Sequence, residues 1–222
     1  MRSTINLESD KDKQLYRVAF HEASHVVMAL AYSKIFQLDK PVYEGVYIAW
    51  NEAEKQTYGA LEPDKGYRLD QIIMNCIDGR SKGALEKALV ELGSFLAGPA
   101  SDQLLETELG NYDENLTKYT DKQYNFELDK GYTGDLIQST LLCHVIWDKS
   151  EIQIGQPLHK ETYHCIHLVQ KDIHRCRDLI EQITVELFRK KRLSKTALEE
   201  HCNSIWSEIP DELALPKILN EI

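Results

Sequence analysis

Apolar residues at Leu15, Val18, Ala19, Val26, Ala29 and Leu30 recur every three or four positions, which predicts a helix from Asp10 to Ser33. Ser9 and Asp10 are its candidate N-caps. The pattern then changes. Val42, Val46, Tyr47, Ile48 and Trp50, followed by Thr57 and Tyr58, are β-branched or aromatic residues around a polar Asn51-Glu52, which predicts a hairpin or two short strands. A short helix is expected near Leu69 to Cys76. Helical spacing returns from Ala84 to Glu106, with Leu85, Ala88, Leu89, Leu92 and Leu96 on one side. Pro99 lies inside that pattern and lacks the amide an unbroken helix needs, so a kink or restart is expected there. Further helices are predicted over Gly134 to Asp148, Thr162 to Lys191 and Lys195 to Ser207. Between the fourth and fifth apolar segments, 107–133 is polar and reads as a long insertion or loop, a kind of segment that is usually functional. The expected architecture is mainly α, a single compact domain over 1–222 with a small β-hairpin or short sheet.

Charge narrows the function. The 222 residues carry 26 Lys and Arg against 36 Asp and Glu, a net charge of −10, which disfavours a phosphate-binding surface and so nucleic acid. The basic run Arg189-Lys190-Lys191-Arg192 reads as the cationic end of a helix. No run approaches the roughly 20 apolar residues of a membrane span, and the first 13 residues hold no apolar signal core. The chain is therefore expected to be complete and cytoplasmic. Its five cysteines are an odd number without a Cys-x-x-Cys pair, which points to free, mostly buried thiols.

The chemistry-bearing signal is His21-Glu22-Ala23-Ser24-His25, in the middle of the first predicted helix. Residues four apart share a helix face, so both imidazoles can reach one metal ion. Zinc takes nitrogen ligands at about 2.0–2.1 Å and, in catalytic sites, keeps one position for water. Glu22 is turned about 100° around the helix from His21, where it can act as general base toward that water. The alternative is a pair of satisfied helix histidines, although burying three such groups is costly unless they are paired or ligated.

Arg17-Val-Ala-Phe-His21-Glu-Ala-Ser-His25-Val-Val resembles the metal-binding helix of the FtsH family of AAA+ zinc proteases. Leu92-Gly-Ser-Phe-Leu-Ala-Gly98-Pro-Ala100 and Tyr132-Thr-Gly-Asp135-Leu-Ile-Gln138-Ser-Thr140 are similar to two further segments of that family, in the same order. The resemblance implies a helical metallopeptidase domain with Zn²⁺ as cofactor. It makes Asp135 the third ligand beside His21 and His25, with Glu22 as the catalytic base. Read alone, an aspartate after a glycine at a helix start is more commonly just an N-cap. The resemblance also makes Tyr58, Gly59 and Ala60 part of a substrate-binding edge strand, on which a polypeptide substrate would pair by strand addition. Ser24 stands where the family has glycine, and Pro99 where it has arginine. No Gly-x-x-x-x-Gly-Lys-Ser/Thr phosphate loop occurs, so any ATP-driven unfolding belongs to a partner.

The expected activity is hydrolysis of unstructured polypeptides, by a chain that is a homo-oligomer (hexameric by resemblance) or works with a separate AAA+ partner. The alternative is a non-catalytic or conditionally active zinc-binding subunit docked on such a partner. A purely structural zinc site needs a fourth protein ligand that is not evident. A second group, His159, His164, His167 and His174 with Cys165 and Cys176, is read differently. Ile166, Val169, Ile173, Cys176, Ile180, Ile183 and Leu187 form a packing seam, and His164, His167 and His174 fall on the solvated side opposite it.

Overall fold

The structure is a computed structural model that describes residues 7, 9–79, 81–108, 124–125, 134–147 and 160–220. Helix α1 (Asp10–Ile35) is capped by Ser9, whose side chain accepts the Asp12 amide at 3.1 Å, with Asp10 and Asp12 at the positive end of the helix dipole. From Ala19 onward nearly every residue of α1 is buried, so this helix is the centre of the molecule rather than a surface helix. It ends in a Schellman arrangement. Leu38 N–H reaches the Ser33 carbonyl at 2.9 Å and Gln37 N–H that of Lys34 at 3.1 Å, with Gln37 in the left-handed region at φ 57°.

Strands β1 (Tyr43–Asn51) and β2 (Gln56–Pro63) form the expected antiparallel hairpin. Asn51 ends β1, and its side-chain oxygen accepts the Ala53 and Glu54 amides at 3.0 and 3.3 Å to shape the connection. Helices α2 (Leu69–Gly79) and α3 (Lys82–Glu108) follow, then α4 (Asp135–Ile146) and α5 (Lys160–Lys190). A third strand, β3 (Arg192–Ser194), pairs with β1, giving the sheet order β2-β1-β3. Helix α6 (Lys195–Ile205), capped by Ser194, and two 3₁₀ turns, Trp206–Glu208 and Leu215–Asn220, complete the described chain.

Two sequence expectations need correction. Helix α3 runs through Pro99 as one element, so of the two expected alternatives, a kink or a restart, the restart does not occur. Proline removes its own hydrogen bond and crowds the carbonyl four residues back, together a cost of about 3 kcal/mol, and the fully buried Leu96, Ala97 and Ala100 on both sides hold the helix against its neighbours. The basic run is not wholly a helix end. Lys190 closes α5, Lys191 turns the chain at φ 65°, and Arg192 enters the sheet, where its guanidinium meets Glu62 Oε2 at 2.6 Å.

The architecture is mainly α with a small antiparallel sheet, and its buried apolar side chains form one continuous cluster. Helix α1 packs most extensively on α3 and α5, and β2 crosses α1 on a further side. All five cysteines are free and buried. Among the described residues no helix is long and apolar enough to cross a membrane. The 107–133 expectation falls largely outside the described residues. So does His159, whereas His164, His167 and His174 are exposed as expected.

Candidate metal centre

The candidate metal site is built where the middle of α1, the second half of α3 and the first turn of α4 meet. His21 and His25 project from successive turns of α1, their rings 4.8 Å apart at 75°. Gly134 is the N-cap of α4 and makes no side-chain cap bond, so Asp135, the first residue of the helix, is free to point at the histidines. Its Oδ2 lies 3.2 Å from His21 Nε2 and 3.3 Å from His25 Nε2. The structure thus brings His21, His25 and Asp135 together, with donor atoms all within 4.8 Å of one another.

The outward nitrogens decide the protonation. His25 Nδ1 lies 2.7 Å from the Ser94 carbonyl, which can only accept, so this nitrogen donates. Ser94 returns a hydrogen bond from its hydroxyl to the His25 carbonyl at 3.2 Å. His21 Nδ1 lies 3.1 Å from Asp102 Oδ2, a second acceptor, and Asp102 Oδ1 is in turn held by Arg17 Nε at 3.1 Å. With both protons on Nδ1, two neutral imidazoles would aim bare Nε2 lone pairs at a carboxylate oxygen. Three acceptors converge on one point, an arrangement that needs a cation among them. In the metal-free chain the cation is a proton. Burial alone would lower the pKa of both imidazoles, yet Asp102 drives that of His21 well up and Asp135 raises that of His25. Burial works to raise Asp135, but the two imidazoles hold it well below the usual carboxylate range.

The same residues fit a tetrahedral ion. Two ligand atoms each at about 2.05 Å from such an ion stand about 3.3 Å apart, which matches both histidine-to-aspartate edges. Space for the ion is kept by Gly98 of α3. A β-carbon there would lie 2.4 Å from His21 Nε2 and 2.6 Å from His25 Nε2. Two imidazoles and a carboxylate suit zinc, with one position left for water or substrate.

Glu22 is 6% exposed and faces a cleft of about 560 Å³ that the three ligands also line. Burial raises its pKa, opposed by His21 and His25. Strand β2 lies directly over it, because a β-carbon on Gly59 would come within 2.7 Å of Glu22 Cγ and Oε1. Gly59 and Ala60 line the cleft. Tyr58 does not join them. Its side chain is half exposed and packs edge-on against Tyr47 at 6.3 Å, outside the cleft lining. β2 is also the open edge of the sheet, so one side of its backbone is not paired within the sheet.

Ser24 fits without distortion, since its buried hydroxyl bonds back to the Phe20 carbonyl at 2.7 Å. Two functional residues escaped the sequence reading, Asp102 and its holder Arg17 in this supporting role. The signal was present in spacing. Arg17 and His21 are four apart on α1, as are Gly98 and Asp102 on α3, so each pair shares a helix face. No protein-family model matches the chain, and no curated protein matches it.

Proposed function

We propose that the protein is a zinc-dependent peptidase that hydrolyses unstructured polypeptide, in the manner of the peptidase domain of the FtsH family. The observation that carries the reading is the convergence of His21 Nε2, His25 Nε2 and Asp135 Oδ2, with both imidazoles held from behind, beside a buried glutamate in an open cleft. A structural site would fill the fourth position with another protein ligand, and the described residues bring no fourth His, Cys or acidic ligand to the cluster. A divalent ion bound by these residues supplies Lewis-acid polarisation of a peptide carbonyl and lowers the pKa of water.

The chain's own residues do the rest. Glu22 accepts the proton of the attacking water as oxygen adds to the carbonyl carbon, and delivers it to the amine nitrogen as the C–N bond breaks. Its raised pKa suits both halves of that transfer. The open edge of β2 at Gly59-Ala60 binds the substrate backbone as an added strand and lays it across Glu22, a recognition mode that tolerates many side chains. Asp102 and Ser94 hold the imidazole tautomers that make this possible.

The test is cleavage of casein by zinc-loaded protein without ATP. Wild type should cut it. Glu22→Gln should retain metal and lose about 10²- to 10⁴-fold in rate, the usual worth of a general base, and chelation should abolish cleavage. A folded, zinc-loaded protein that leaves casein intact would sink the reading.

A further inference from the structure

The cleft continues beyond the metal ligands, and its far wall carries chemistry that peptide hydrolysis by Glu22 does not use. On α3, Glu91, Ser94 and Phe95 line the cleft, one to two turns before Gly98, which abuts the two imidazoles. Glu91 lies two turns before Gly98, about 10 Å along the helix axis from the ligand-facing glycine. Tyr67 donates its hydroxyl to Glu91 Oε2 at 2.7 Å. A carboxylate has about four acceptor sites, and this is its one hydrogen bond among the described residues. No lysine or arginine lines the cleft, and Glu91 has no ion-pair partner among the described residues. Around it stand Pro41, Val42, Tyr43, Tyr67 and Phe95, apolar and aromatic walls that open at the half-exposed Val42.

An uncompensated carboxylate at the end of an apolar-walled slot is complementary to one kind of side chain, a long aliphatic stem with a cationic head. We propose that Glu91, with Tyr67, forms a specificity subsite that accepts a lysine or arginine side chain of the bound polypeptide. The subsite rests on the peptidase reading for its role, though not for its binding chemistry. Burial pushes the Glu91 carboxyl up, against the Tyr67 hydrogen bond, the direction expected of an acid whose counter-ion comes from the ligand. Strand addition on β2 would then supply affinity through the backbone, and Glu91 would supply the choice among sequences.

The experiment is a binding measurement that does not depend on turnover. Zinc-loaded Glu22→Gln protein is titrated into two fluorescent peptides of alanine, serine and glycine, one with a single central lysine and one with norleucine in its place. The lysine peptide should bind about ten-fold more tightly, the size of a charge-assisted contact in a partly dry site. In the Glu22→Gln/Glu91→Gln protein, which keeps an acceptor for Tyr67, the two affinities should come within about two-fold of each other. Adding Glu91→Lys instead should turn the preference toward a glutamate peptide. Equal affinities at the outset, a lysine preference that survives Glu91→Gln, or no peptide binding overturns the proposal. Selective lysine binding by a wild type that leaves casein whole would remove the peptidase reading and leave the subsite standing. Casein cleavage with equal peptide affinities would do the reverse.

Discussion

Asp135 and Asp172 are both acids set against helix α1, and their surroundings are opposites. Asp172, on α5, is fully buried and meets only donors. The Ala214 and Leu215 amides reach its two oxygens at 2.5 and 2.9 Å, and the Tyr32 hydroxyl adds a third bond at 3.2 Å. It fastens α1 and α5 to the chain entering the last 3₁₀ turn, with three donors on its two oxygens. Asp135 meets two imidazole Nε2 atoms whose rings commit their Nδ1 protons elsewhere, so unless a further proton or an ion joins them its neighbours are acceptors like itself. A buried acid with a full set of donors is a structural tie. One that faces lone pairs is a candidate cation site.

The contrast predicts a ranking. Asp172→Ala strands three buried donors and should cost about 4 kcal/mol of stability, read as a drop of about 10 °C in the melting temperature, with zinc stoichiometry unchanged in the folded fraction. A variant that melts like wild type would break the comparison from the structural side. Asp135→Ala should weaken zinc binding by more than about 100-fold, since a lost ligand must exceed a lost supporting partner, while the metal-free protein melts far closer to wild type than Asp172→Ala does. Full zinc occupancy in competition with a chelator would break it from the other side. Asp102→Ala sharpens the picture, because it leaves all three ligands and frees only the orientation of His21. A loss of about 10- to 100-fold in zinc affinity is expected, and no loss would mean that Asp102 merely solvates the ring.

Acid stability separates the two aspartates by sign. In the metal-free protein Asp135 is depressed by the histidines despite its burial, so its contribution is complete above the unfolded value of about 3.9 and lost as pH falls below it. Burial raises Asp172 against its three donors, so its contribution declines as pH climbs from about 3.9 through the raised value. Between about pH 3 and pH 6, denaturant titrations should show Asp135→Asn flattening the loss toward acid and Asp172→Asn steepening the rise toward neutrality. Shifts of the same sign in both would refute the opposition. The smallest effect lies at the end of α1, away from both acids. Gln37→Gly relieves a side chain held at φ 57° and should add about 0.5 kcal/mol to stability without touching zinc binding.

Much of the molecule was legible where the information is local. The α1 motif, the hairpin and the seam of α5 follow from spacing alone, because a helix or strand turns sequence intervals of four or two into a shared face. The seam also hid Asp172. Its position, three after Val169 and four before Cys176, puts a charge on an apolar face, which marks it as tied by donors from elsewhere. Strand β3, with three residues, is too short to carry a period, and the helix does not restart at Pro99 because neighbouring packing outweighs a local penalty.

Residue order along α1 thus determined which two imidazoles share a face and which glutamate stands beside them. Chain folding alone decided that Asp135, more than a hundred positions away, closes the triangle, that Asp102 and Ser94 set the tautomers, that Gly98 leaves the space, and that Glu91 looks down the same cleft. Spacing specifies direction within one element, whereas distance between elements is set by how their buried faces pack, and no interval along the chain encodes it.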